Sequence, residues 1–129
     1  KPAAEWKVTA SDELELAQKG CDGDMKTRWE TKGNQKKGMW YQVELPEAKT
    51  VSGLRLDDSA RPSASPKSYK VEGSVDGKKW IALGSTRGLP GLSETYFAKE
   101  TPVKFLKVTI ADAQNNQPWA IQEFQLLGR

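Results

Sequence analysis

Carboxylates, a turn glycine and a hydroxyl crowd the segment Asp22-Gly23-Asp24-Met25-Lys26-Thr27-Arg28-Trp29. A further carboxylate, Glu123, lies about a hundred residues on, in the apolar run Trp119-Ala120-Ile121-Gln122-Glu123-Phe124. Hard cations such as calcium take roughly six to eight oxygens from carboxylates, carbonyls and hydroxyls. A calcium clip joining the two ends of the chain would use both segments. The alternative is an acidic turn and an ordinary strand glutamate. The Asp-Gly pair is a common turn signal, and the spacing is not that of an EF-hand loop. Taken locally, the residues favour the plain turn and leave the metal open.

Other chemistries are excluded by composition. The chain has no histidine and one cysteine, Cys21. Cys-His pairs, Ser-His-Asp triads and the usual zinc sites are therefore impossible. No intrachain disulfide can form. Flanked by Gly20 and Asp22, Cys21 reads as a small tucked-in residue rather than a nucleophile. A net charge of +3 is only mildly basic, below that of a dedicated nucleic-acid binder. No segment reaches the ~18 apolar residues needed to span a bilayer, and no signal peptide is visible. At 129 residues the chain reads as a single domain over 1–129, with 1–5 as a tail.

Short alternating runs dominate. Tyr41, Val43 and Leu45 alternate with Gln42 and Glu44, and Leu54 and Leu56 flank Arg55. Tyr69, Val71, Gly73 and Val75 share one side of the next run; Ile81 and Leu83 follow Trp80. Leu106, Val108 and Ile110 alternate with Lys107 and Thr109, and the last run is Phe124 to Leu127. This period predicts half-buried antiparallel strands. Asp76-Gly77-Lys78-Lys79 predicts a hairpin turn. The one helical candidate, Asp12 to Lys19, is worth a turn or two. Seven or eight strands in this length predict an all-β antiparallel sandwich.

Three loops then carry the polar chemistry. Glu30 to Gly38 holds Lys32, Lys36 and Lys37; Asp57 to Lys67 holds Asp57, Asp58, Arg61 and Lys67. Asp112 to Trp119 holds Gln114, Asn115, Asn116, Gln117 and Trp119. Amides and a guanidinium hydrogen-bond sugar hydroxyls, and an aromatic face covers the apolar side of a ring. Trp119 is equally suited to core packing, because tryptophan is highly buried on average. The lysines suit either a solvated loop or an anionic ligand. Asp57 and Asp58 do not read as a catalytic pair, because adjacent residues of an extended segment face opposite ways.

The ordered set resembles a known family. It comprises Asp22 to Trp29, Gly38-Met39-Trp40-Tyr41-Gln42-Val43-Glu44-Leu45, and Tyr69 to Trp80 with its Ser-x-Asp-Gly-x-x-Trp ending. Val103 to Ile110 and Trp119 to Leu127 complete it. Over residues 6 to 129 this resembles the discoidin domain, or coagulation-factor C-type domain, in its bacterial carbohydrate-binding-module branch.

The resemblance implies an eight-stranded jelly-roll sandwich of the galactose-binding-like type, without catalytic activity. It implies a structural calcium held by Asp22 and Glu123 side chains, by the Thr27 hydroxyl and carbonyl, and by the carbonyls of Lys19, Asp24 and Gln122. It implies a monomeric, secreted module, extracellular or periplasmic, appended to enzyme domains on the same chain and holding them to a glycan. The carbohydrate site would involve Glu30, Arg61, Asn115, Asn116 and Trp119. Galactose binders often keep histidine where Glu30 stands, so simple galactose recognition is not expected, and an anionic glycan is among the expected ligands. The alternative is an adhesion module that binds protein or lipid head groups, as eukaryotic relatives do. The polar run Lys32 to Lys37 argues against membrane insertion.

Overall fold

In the computed structural model, residues 5–24, 26–114 and 116–128 are described. Residues 1–4 of the expected tail and Asn115 lie outside them. The chain forms eight strands: β1 (Lys7–Ala10), β2 (Trp29–Glu30), β3 (Trp40–Asp57), β4 (Ser68–Ser74), β5 (Ile81–Arg87), β6 (Leu92–Asp112), β7 (Ala120–Ile121) and β8 (Glu123–Leu127). The expected antiparallel sandwich is the observed fold. The main sheet runs β1-β3-β6-β4-β5, with β8 also on β3, and β2 pairs with β7. The helical candidate is a 3₁₀ helix, Leu14–Gly20. Among the described residues no helix is long and apolar enough to cross a membrane.

Two strands differ from expectation. The runs at Tyr41–Leu45 and Leu54–Leu56 belong to one long strand, β3, and β6 is longer still. Their alternation explains how this works. Tyr41, Val43, Leu45 and Val51 are buried at odd positions, then Leu54 and Leu56 at even ones. A register shift between Val51 and Gly53 separates the two sets. An extra residue in a strand switches which side chains face inward. In β6 the buried set likewise changes from Ser93, Thr95, Phe97 and Val103 to Leu106, Val108 and Ile110. The first half of β3 pairs with β1, and the second half with β8. Each long strand thus serves both parts of the sandwich.

Aromatic packing fills the middle. Trp29 meets Trp119 edge-on at 4.9 Å and Tyr41 at 5.0 Å between ring centroids. Tyr41 meets Phe124 at 5.8 Å, and Phe124 meets Trp6 at 6.2 Å. Two of these rings have paired polar ends: the Trp29 indole N–H donates to the Asp12 carbonyl at 2.9 Å, and the Tyr41 hydroxyl to the Ala17 carbonyl at 2.6 Å. The buried Trp6 indole nitrogen has no partner among the described residues. Cys21 is buried beside Tyr41, and burial pushes its thiol up to about 11.

On the outer face, Lys107 lies over the rings of Trp40 and Trp80 at 5.7 and 4.9 Å. The predicted hairpin turn is present. Asp76 accepts from the backbone N–H groups of Lys78 and Lys79 at 2.8 and 3.0 Å, and Gly77 takes a left-handed φ of 79°. Val75 and Ile81, expected to be half-buried, are exposed because β4 ends at Ser74 and β5 is an edge strand.

At Gly53 three strands meet, with Tyr96 and Leu127 as neighbours in register. A Cβ there would stand 2.3 Å from the Thr95 carbonyl oxygen, which is backbone and cannot swing away. Gly53→Ala is expected to destabilise the domain by about 1–3 kcal/mol, the range for forced overpacking. Urea unfolding with an unchanged m-value would register it as a shift in midpoint.

Candidate functional site

The three polar loops do come together, and the residue that joins them is Gln35. Its side-chain amide nitrogen donates to the Ala64 carbonyl at 3.3 Å and to the Pro118 carbonyl at 3.1 Å. Its side-chain oxygen accepts from the Gln114 N–H at 2.8 Å. Its own backbone N–H donates to Gln117 at 2.7 Å. Thr31 repeats the pattern: its N–H donates to the Trp119 carbonyl at 2.8 Å, and its hydroxyl oxygen accepts from the Trp119 N–H at 2.9 Å.

Trp119 itself is core. The residue is 1% exposed and its ring packs on Trp29. Its expected role as a sugar-stacking platform does not hold. The β2–β7 ladder explains why: Trp29 pairs with Ile121 and Glu30 with Ala120, which brings the two indoles into one layer. Asn116 is exposed in a turn with φ 60°, a left-handed conformation that asparagine tolerates.

Glu30 and Arg61 do meet. Glu30 Oε1 lies 3.3 Å from an Arg61 terminal nitrogen, and it accepts from Arg28 Nε at 2.7 Å. Sequence reading did not nominate Arg28. Two guanidiniums thus converge on one carboxylate oxygen, each side chain about a third exposed. A guanidinium carries five N–H donors in a planar fork, so most of this donor capacity remains available. With two cations and one anion, the trio carries a charge of +1. The other cations of these loops, Lys32, Lys36, Lys37 and Lys67, are exposed, and no ion pair within 4 Å involves them among the described residues.

Beneath the trio lies a second residue that sequence reading did not nominate as a ligand residue. Asp58 is 3% exposed, and its Oδ1 has no hydrogen-bond partner among the described residues. Its other oxygen is 3.5 Å from the Ser65 hydroxyl. Burial pushes its carboxyl up to about 8; the Ser65 hydroxyl and the Arg61 and Arg28 charges oppose this only partly. Asp58 is therefore mostly protonated at neutral pH. Gln122 ties the same loop to β8, its side-chain oxygen accepting from the Ala60 N–H at 2.6 Å.

The proposed metal ligands are partly assembled. The Thr27 hydroxyl donates to Asp22 Oδ2 at 2.5 Å and also approaches the Asp24 carbonyl at 3.1 Å. The Gly23 N–H donates to Glu123 Oε2 at 2.9 Å, which closes the long sequence gap. The Asp22 and Glu123 carboxyls are within hydrogen-bonding reach of each other. Burial, and then the Asp22 charge, raise the Glu123 carboxyl despite the Gly23 N–H. Burial would raise Asp22 as well, but the Thr27 hydroxyl and the Asp24 N–H outweigh it, and the net shift is downward. Lys19 lies in the last turn of the 3₁₀ helix, three residues before Asp22, and Gln122 adjoins Glu123. Among the described residues no group of three His, Cys, Asp or Glu side chains converges. Any cation here would rely on hydroxyl and carbonyl oxygens besides the two carboxylates.

Asp58 makes a pH prediction. Its folded-state value of about 8 exceeds its ordinary 3.8. Between those limits the folded state keeps a proton that the unfolded chain has lost. Its contribution to stability is complete below about pH 4 and is lost as pH rises toward 8. Asp58→Asn is expected to raise the melting temperature at pH 8 and to give no such gain at pH 4. Thermal melts of both proteins across that range check this.

The chain has clear structural relatives. The F5/8 type C domain model matches residues 6–124. Among curated proteins none matches. Chitosan-binding module 1 from the chitosanase/glucanase of Paenibacillus sp. IK-5 is similar at a TM-score of 0.80 and 23% identity, with 95% of this chain and 94% of that one covered. The family 32 CBM of Clostridium perfringens NanJ, solved with galactose, is similar at 0.77 and 17%, covering 97% and 95%. The CBM32 of AlyQ, solved with 4,5-unsaturated mannuronic acid, is similar at 0.77 and 20%, covering 95% of each. The chain belongs to the F5/8 type C, or discoidin, domain family.

Proposed function

We propose that this domain is a non-catalytic carbohydrate-binding module, and that an acidic sugar binds at Arg28, Glu30 and Arg61. The observation that carries this is the convergence of two partly exposed guanidiniums on a single glutamate oxygen. A carboxylate on a sugar suits the remaining paired N–H groups, because guanidinium and carboxylate match in a bidentate fork. Sugar hydroxyls can donate to Glu30. The net charge of the trio, with Asp58 mostly protonated beneath it, favours an anion over an amino sugar. The ligands of the solved relatives, galactose and an unsaturated mannuronate among them, support carbohydrate as the class. In this reading the module is secreted and holds enzyme domains of a longer chain to a polysaccharide.

Titration with a mannuronate trimer and with galactose tests the reading. Arg61→Ala is expected to lower affinity for the trimer at least about tenfold, since a charged hydrogen bond is worth roughly 1.5–3 kcal/mol. Partly exposed charges are screened over ~8 Å at physiological ionic strength. Trimer binding should therefore weaken as salt rises. Salt-insensitive binding of galactose with no preference for the uronate would overturn the acidic ligand.

A structural calcium belongs to the same proposal. The donor set fits: two carboxylates that face each other with no lysine or arginine ion-paired to them among the described residues, plus the Thr27 hydroxyl and Asp24 carbonyl. When bound, the ion would neutralise Asp22 and Glu123 and tie the first acidic turn to β8. A ligand specific to the folded state, at a hundredfold excess over Kd, stabilises by ~2.7 kcal/mol. Calcium is expected to raise the melting temperature, prolonged chelation to lower it, and Asp22→Ala to abolish the difference. A melting temperature unmoved by chelator, with no metal found by elemental analysis, would rule the ion out.

A further inference from the structure

The guanidinium–carboxylate trio grips only polar atoms, and with Trp119 in the core the site lacks the apolar platform that sequence reading assigned to it. A fourth loop is bonded to the segment that carries Arg61. Gly88-Leu89-Pro90-Gly91 joins β5 to β6, which Leu92 opens. Leu89 is 55% exposed and Leu92 45%, and Pro90 between them is exposed as well. Single exposed leucines are unremarkable on a protein surface. This loop differs because it is held rigidly at every turn.

The Gly88 N–H donates to the Lys67 carbonyl at 2.9 Å. The Leu89 N–H donates to the Ser93 hydroxyl oxygen at 2.9 Å, and that hydroxyl lies 3.3 Å from the Leu89 carbonyl. Ser93 is itself buried. The Asp58 N–H donates to the Gly91 carbonyl at 2.7 Å. Gly91 has a φ of +87°, and a Cβ there would lie 3.6 Å from Ser59 Cα and 3.9 Å from Pro62 Cβ. Leu92 pairs in register with Asp57. The loop is thus fastened to the segment 57–62 that carries both Asp58 and Arg61. Of the other exposed apolar side chains, Val75 and Ile81 flank the hairpin turn at the far end of β4 and β5.

We propose that Leu89, Pro90 and Leu92 form the apolar wall of the carbohydrate site, contacting the C–H face or a methyl-bearing substituent of the sugar held by Arg28, Glu30 and Arg61. The proposal rests on the carbohydrate reading above. Ligand sites combine apolar lining with a few placed polar groups, and here the apolar loop is fastened to the segment that carries Arg61. Because the backbone is already pinned, binding orders little more than the leucine side chains. The wall also sets specificity: acetylated or deoxy sugars, with more apolar surface, gain more from it than a fully hydroxylated ring.

Calorimetric titration of the intact domain with a mannuronate trimer, an N-acetylglucosamine trimer and galactose tests this. Leu89→Ser and the bulkier polar Leu89→Gln are expected to weaken whichever probe binds by about tenfold, the scale of losing most of one leucine contact. Their melting temperatures should match the wild type. Arg61→Ala in parallel reports on the site itself. If both Leu89 variants bind as tightly as wild type while Arg61→Ala does not, the wall is wrong and the carbohydrate site stands. If none of the probes binds to the wild type, or Arg61→Ala leaves binding intact, the site and the wall fall together. Sedimentation with phosphatidylserine–phosphatidylcholine vesicles is the remaining arm. Vesicle binding that Leu89→Ser abolishes, with sugar affinity unchanged, would assign the leucines to a lipid surface and overturn the proposal.

Discussion

A single buried amide holds the polar end of this sandwich together. Gln35 hydrogen-bonds the segments around Ala64, Gln114, Gln117 and Pro118, so three loops far apart in sequence share one fastening point. Loops carry their own backbone donors and acceptors, and buried ones must be paired. Strands solve this with their ladders. Here a side chain that is both donor and acceptor does it instead. The positions of Arg61 and Glu30 follow from this geometry, because each sits in or next to a loop that Gln35 anchors. A site built on such loops is pre-ordered by that shared fastening point.

Much of the architecture was readable because alternation reports directly on burial. The runs from Tyr41, Tyr69 and Leu106 point inward as their periods require. What alternation hides is continuity. Pro46 and Pro102 look like strand breaks, yet β3 and β6 run through them, since extended chain at an irregular point tolerates a missing N–H. The resemblance, by drawing one carbohydrate site from Glu30, Arg61 and Trp119, implied that the three loops converge. Their internal wiring was not implied, because one glutamine in a polar loop looks like any other.

Trp119 and Asp58 show the limit from opposite sides. An indole just before a strand can face either in or out. Its partner Trp29 is ninety residues away in sequence, so only the β2–β7 pairing decides. Asp58 follows the exposed-looking pair rule for adjacent acids, yet it is buried because Gly91 and Arg61 fold over its backbone. Arg28 was hidden in the expected metal turn, where its neighbours drew attention to oxygen ligands instead of cations. The outer-face cluster of Lys107 between Trp40 and Trp80 was also invisible, since it joins three separate strands or turns. Cation–π contacts of this sort contribute roughly 0.5–2 kcal/mol, and they secure the sheet on the side away from the aromatic core.

The burial of Cys21 has a practical side. It is the chain's one thiol, fully enclosed and with its ionisation pushed up to about 11. Thiolates, not thiols, attack alkylating reagents, so the native domain is inert to maleimide chemistry at neutral pH. A cysteine installed at the exposed Lys78 would then be the sole attachment point. It would sit at the hairpin, about 20 Å along β4 from the loop end of the sandwich, given ~3.3 Å per strand residue. A dye or a solid support coupled there would leave all four apical loops facing outward into solution.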